Sequence, residues 1–134
     1  MAFHELDFTS RRSSDPPCEL WDRAYALLGE VFRRGGAPPD FGRRLGNAFL
    51  GAGLPFPTLV AEAVMGGGRG SYVVPWIANT LVNVSHRIAD LGLVVPDGIA
   101  MDHTLSGKLE DAVVALGSQI TGPIQFGAWA RTPL

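Results

Sequence analysis

"GPIQFGAWARTP", Gly122 to Pro133, is the stretch that decides how this 134-residue chain is read. Ile124, Phe126, Ala128 and Ala130 alternate with Gln125, Gly127, Trp129 and Arg131. A period of two sends successive side chains to opposite faces, so residues 122–131 are predicted to form a final strand. The other end of the chain behaves alike. In "AFHELDF", Phe3, Glu5 and Asp7 alternate with Ala2, His4, Leu6 and Phe8, which predicts a strand over residues 2–8. It stops at the polar cluster running from Thr9 to Asp15. Between the two ends lies "PTLVAEAVM" (Pro57–Met65), whose β-branched content and Pro and Gly boundaries predict a strand over residues 57–65.

Helical periodicity fills the gaps. Leu20, Ala24, Leu27, Leu28, Val31 and Phe32 recur at helical spacing. Asp15 is the expected cap, Pro16 and Pro17 suit the first turn, and Arg33, Arg34, Gly35 and Gly36 close the helix. A shorter helix is expected from Asp40, with Phe41, Leu45, Ala48 and Phe49 on one side and Gly53 as its stop, making residues 15–53 a helical region. Val74, Ile77, Leu81, Val84, Ile88 and Leu91 form a third stripe; Leu105, Leu109, Ala112, Val113 and Leu116 form a fourth, ended by Gly117. The order is β-α-α-β-α-α-β. Three strands separated by helical crossovers imply a helix-covered sheet, yet four helices present more apolar face than three strands can cover.

Bulk properties restrict function further. A length of 134 residues fits one domain, and a mean hydropathy of +0.16 with 46% hydrophobic residues is too apolar for a disordered chain. Eleven Lys and Arg against 13 Asp and Glu leave a net charge of −2, so no basic field recruits nucleic acid or anionic lipid. Cys18 is the only cysteine, which forbids an intrachain disulfide and makes a reducing cytoplasmic setting the simple expectation. No apolar run reaches the roughly 18 residues of a membrane span, and the first residues lack the layout of a signal peptide.

Several constellations invite chemistry. "GGGRGS" (Gly66–Ser71) follows a predicted strand and precedes a helix, but it fails the glycine spacing of a dinucleotide fingerprint; a hinge is the better reading. His4, His86 and His103 stand at no metal-ligand spacing, and Cys18 has no histidine partner in sequence. Glu5 and Asp7 are the strongest pair. Period two puts both carboxylates on one face near the C-terminal end of a strand, where open α/β sheets build ligand sites. Spacing alone leaves a solvated strand face as the plainer alternative. Trp21, Trp76 and Trp129 each fall on a periodic segment, where core or lid packing is the default role.

Together, "AFHELDF" and "GPIQFGAWARTP" resemble the closing parts of class I S-adenosylmethionine-dependent methyltransferases of the small-molecule type. In that family the fifth of seven strands reads roughly "GG-x-hydrophobic-x-x-x-E-x-D". The seventh has a "hydrophobic-x-x-x-A-W-x-R-x-P" flavour. Glu5 and Asp7 match the first pattern; Ala128, Trp129, Arg131 and Pro133 match the second. "DFGRRLGNAFLGAGL" (Asp40–Leu54) resembles the helix and turn before the family's sixth strand, and "PTLVAEAVM" that strand itself. Residues 74–117 look like the helical insertion that covers the substrate pocket in some members.

The resemblance implies an α/β, partial Rossmann-like methyltransferase fold. Its three-stranded sheet would have the last strand antiparallel between the other two, with about four helices. It covers only the family's second half: the glycine-rich cofactor loop and the acidic ribose-binding strand end have no counterpart here. It therefore implies S-adenosylmethionine as cofactor of a complete parent enzyme and none for this chain alone, with no catalytic residue and no metal. Glu5, Asp7, Trp76 and Asn79 become the implied substrate-binding residues, facing a small-molecule acceptor. Met1 would stand where a parent chain continues, leaving residues 3–7 as an open edge for strand pairing. A non-catalytic assembly module, self-associating or pairing through that N-terminal edge, is the alternative. A hydrolytic enzyme using Glu5 or Asp7 lacks any nucleophile–base pair.

Overall fold

The structure is a computed structural model and describes residues 1–9 and 13–132. Its four strands are β1 (Ala2–Asp7), β2 (Ser14–Asp15), β3 (Thr58–Gly66) and β4 (Gln119–Trp129). The helices are α1 (Glu19–Arg34), α2 (Leu45–Gly51), α3 (Val73–Asn83), α4 (His86–Asp90) and α5 (Leu105–Leu116), with a 3-10 turn at Phe41–Arg44 leading into α2. The fold is mixed α/β with an open antiparallel sheet.

β4 is the centre of that sheet. Ala2 to Asp7 run antiparallel to it, from opposite Trp129 to opposite Ile124. On its other edge Thr58 to Ala63 run antiparallel from Trp129 to Ile124. β1 and β3 are thus parallel to each other, with the last strand between them. Past Ala63, Met65 and Gly66 pair with Thr121 and Ile120, so β4 spends three residues where β3 spends two. The extra residue is a bulge in β4. Pro123 sits there, at a place in a strand where its missing N–H is tolerated. The final strand begins at Gln119, three residues earlier than residues 122–131 suggest.

The expectation of three strands is corrected by β2. Ser14 pairs with Ile120 and Asp15 with Gln119, on the edge that β1 has already left. Asp15 is therefore occupied by the sheet and does not cap α1. Cys18 is the N-cap residue instead, and its N–H donates to Ser14 Oγ at 2.8 Å. A second bond from the same serine, Oγ to Asp22 Oδ2 at 2.7 Å, ties β2 to the first turn of α1. Trp21 Nε1 donates to Ser13 Oγ at 2.7 Å, which satisfies the indole of a fully buried side chain. The 10–12 part of the polar cluster lies outside the described residues.

The helix count is also corrected, from four to five. The apolar stripe from Val74 to Leu91 is continuous, but the helix ends at Asn83, and α4 restarts at His86 after a tight turn. α5 stops where expected: Gly117 takes φ 62°, a left-handed conformation that suits glycine, and donates back to Val114.

The surplus of apolar helical face now has a physical account. Trp21, Leu28 and Val31 of α1, Ile77 and Leu81 of α3, and Leu105, Leu109 and Val113 of α5 are all buried in one cluster with Ile120. The helices chiefly cover each other, each such side chain contributing about 1.5–3 kcal/mol of burial. The sheet supplies only Ile120, Val64 and the strand-end residue Phe8 to that cluster. A second, smaller core forms on the opposite face, where Leu45 and Phe49 of α2 pack with Ala128 and Phe126.

Candidate functional site

The C-terminal end of β1 gathers the polar side chains of this region. Alternation along β1 puts Phe3, Glu5 and Asp7 on the α2 face, beside their partners Ala128, Phe126 and Ile124. The two carboxylates then diverge. Asp7 is 1% exposed. Its Oδ1 accepts the Thr9 N–H at 2.7 Å and the Thr9 hydroxyl, while its Oδ2 pairs with Arg43 Nε. Burial alone would raise its pKa, but the Thr9 hydroxyl and N–H and the Arg43 guanidinium outweigh it and hold the carboxyl below the usual range. Asp7 thereby anchors the 3-10 turn to the end of β1. Gly42, next to Arg43, lies flat on the Phe126 ring, so close that a Cβ would sit 2.4 Å from Cδ2.

Glu5 stays half-buried and has solvent access. With His4 and Leu6 it forms one wall of a groove of about 320 Å³. Phe8, Phe32, Ala37, Pro38 and Pro39 form the rest. The groove runs along the outer edge of β1, which has no strand partner among the described residues. Met1 O faces β4, accepting from Ala130 N–H, whereas Phe8 N–H donates outward to Pro39 O at 3.1 Å. Strand alternation then turns the backbone groups of His4 and Leu6 outward into the groove. Pro39 closes the edge at Phe8.

Trp76 and Asn79 lie elsewhere, on α3. Trp76 is half-buried, packs on Gly122 so closely that a Cβ added there would sit 3.3 Å from its Cζ3, and stacks with exposed Tyr72 at 6.1 Å between ring centroids. Asn79 is exposed one turn further on. The groove beside β1 is lined by Glu5 but by none of Asp7, Trp76 or Asn79. Trp21 is core, whereas Trp129 is 46% exposed at the end of β4. Pro133 of the terminal motif lies outside the described residues.

Three side chains of this region were not picked out by spacing. Thr9 follows the strand, Arg43 arrives from 36 residues away, and Tyr25 comes from α1. Arg43 did leave a signal: a cation at the start of a helical run opposes the helix dipole, which hints at a carboxylate partner. Tyr25 left none. Its hydroxyl is buried without a hydrogen-bond partner among the described residues, and its pKa is raised by burial and by the charge of Asp7.

The glycine-rich turn, expected as a hinge, is tied to α5 through Glu110 and Asp111. Gly70 N–H donates to Glu110 at 2.7 Å, Gly67 N–H to Ser71 Oγ at 3.2 Å, and Arg69 reaches Asp111 at 3.0 Å. Two of its backbone donors, on Gly67 and Gly70, are thus engaged, one by a carboxylate that would repel an anionic group. No group of three or more metal-type ligands occurs among the described residues, and no helix is long and apolar enough to cross a membrane. Comparisons with protein-family models, curated proteins and solved structures find no match.

Proposed function

We propose that this chain is the acceptor-side, C-terminal portion of a class I S-adenosylmethionine-dependent methyltransferase domain. The observation that carries the reading is the placement of β4 antiparallel between β1 and β3, two parallel strands joined through helices. This is the strand order that the resemblance of the chain ends implies. The open backbone edge of β1 and its groove are consistent with a neighbouring strand in a larger sheet.

In this reading Glu5 lines the acceptor side, Asp7 positions the 3-10 turn through Arg43, and Trp76 and Asn79 belong to the helical cover. The glycine-rich turn fits the cofactor's methionine carboxylate poorly, because the Gly67 and Gly70 N–H groups are engaged and the Glu110 carboxylate stands beside them. No methyl-transfer step is therefore assigned to these residues, and the chain alone is inactive. The alternative, a non-catalytic module that pairs through the β1 edge, draws on that same edge.

Two measurements test the reading. Equilibrium titration with S-adenosylmethionine is expected to give no micromolar binding to this chain; such binding would overturn the proposal. The DNA upstream of the Met1 codon is expected to continue in frame with a strand, a glycine-rich turn and a helix. An upstream region coding for none of these counts against it.

A further inference from the structure

The outer edge of β3 is independent of the proposed function. At nine residues, roughly 30 Å, it is longer than the usual strand. Only β4 pairs with it among the described residues. Both of its faces meet solvent: Leu59 is 42% exposed, Val60 50% and Met65 55%. Native edges are normally protected by lysine, proline or a bulge. Here Pro57 precedes the strand, the bulge lies in β4, and one charge, Glu62, stands at the centre.

The sequence of this edge is self-complementary. Residues 60–64 read Val-Ala-Glu-Ala-Val, the same in both directions. An antiparallel copy related by an axis normal to the sheet keeps each side chain on its own face. Centred on Glu62, it pairs Leu59 with Met65, Val60 with Val64 and Ala61 with Ala63, and it uses the whole strand. Centring on Ala61 would draw Pro57, which has no N–H, into the ladder; centring on Ala63 would leave Thr58 and Leu59 unpaired. The one mismatch in the full register is at the axis, where two Glu62 carboxylates face each other with Cβ atoms about 5 Å apart. Gln125 is the β4 residue opposite Glu62, and His4 of β1 bonds to that Gln125 at 3.2 Å. Glu62 itself is exposed.

We propose that β3 is a self-association edge, pairing antiparallel with β3 of a second copy, and that Glu62 holds the copies apart at neutral pH. Pairing through one strand buries less than the ~800 Å² per partner of a stable interface, so the dimer is weak and concentration-dependent. Sedimentation equilibrium tests it on the full chain. Glu62→Gln is expected to dimerise at least about tenfold more tightly than the wild type near pH 7.5. A second series on the wild type at about pH 4.5 is expected to narrow that gap. His4→Gln should leave the pH response unchanged. Adding Met65→Asp to Glu62→Gln should restore the wild-type constant.

Register is read by oxidation in the Glu62→Gln background. Ala61→Cys mixed with Ala63→Cys should cross-link, and Ala61→Cys alone should not; Cys18 is buried and does not compete. Equal association of wild type and Glu62→Gln at both pH values would overturn the proposal. So would open-ended polymers, or self-cross-linking of Ala61→Cys as efficient as the mixture. Should Glu62→Gln fail to fold, the wild-type pH series decides: association unchanged between the two pH values refutes the gate.

Discussion

Replacing Asp7 should cost more stability than any other single charge removal at the β1 end, and the structure sets the scale. Asp7→Ala removes the acceptor of the Thr9 N–H, a bond to a charged group, which is worth about 1.5–3 kcal/mol. The Thr9 hydroxyl can turn to water. Arg43 is 56% exposed and regains solvation, so its pair adds only about 0–1 kcal/mol. The sum is about 1.5–4 kcal/mol. Asp7→Asn keeps an acceptor for Thr9 but sets an amide against the guanidinium, for about 1–2 kcal/mol. Arg43→Ala leaves the carboxylate reachable by water and should cost least, about 0.5–1.5 kcal/mol.

Urea unfolding followed by circular dichroism reads these differences through the midpoint at constant slope. The pH dependence gives an independent check. Asp7 has a folded-state pKa below its unfolded value of about 3.9. Between those values the unfolded state binds more protons, so the stabilisation is complete above about pH 5 and is lost as pH falls through the folded value. The gap between wild type and Asp7→Asn should therefore narrow on acidification. Arg43→Ala costing as much as Asp7→Ala, or a gap that widens in acid, would refute this account.

Two further substitutions probe the packing around the same site. Gly42→Ala places a Cβ inside the Phe126 ring contact and should cost about 1–3 kcal/mol; combined with Phe126→Leu, the loss measured by urea unfolding should fall below the sum of the single losses. Tyr25→Phe removes a buried hydroxyl that has no partner among the described residues while keeping the ring against Phe8 and Trp21, so stability should change by less than about 1 kcal/mol or rise. A loss above about 2 kcal/mol would show that the hydroxyl is bonded.

Much of the chain's local structure was legible because it follows from period and punctuation. Leu20 to Phe32 repeat at helical spacing and form α1; Ile124 to Ala128 alternate and form β4; Gly117 ends α5 by taking a conformation that other residues avoid. The apolar stripe from Val74 to Leu91 misled on continuity. Periodicity survives the turn at Val84 and Ser85, because the restarted helix keeps its buried side toward the same core.

Pairing across the chain was not legible in this way. Nothing near Ser14 announces that it will meet Ile120, and Asp15 looks like a helix cap until that strand takes it. At the candidate site, period two put Glu5 and Asp7 on one face. It could not separate a solvent-accessible groove wall from a buried anchor. That difference came from Arg43, Thr9 and the 3-10 turn closing over Asp7 alone.

The sequence by itself determined the longer elements (β1, α1, β3, α5 and most of β4) and the orientation of side chains within each, since both depend on neighbours a few residues apart. Tertiary structure alone decided which carboxylate is buried, that the helices bury mainly one another, and that Ser14 and Asp15 join β4. Those outcomes depend on desolvation and hydrogen-bond satisfaction between segments far apart in the chain, which no local pattern encodes.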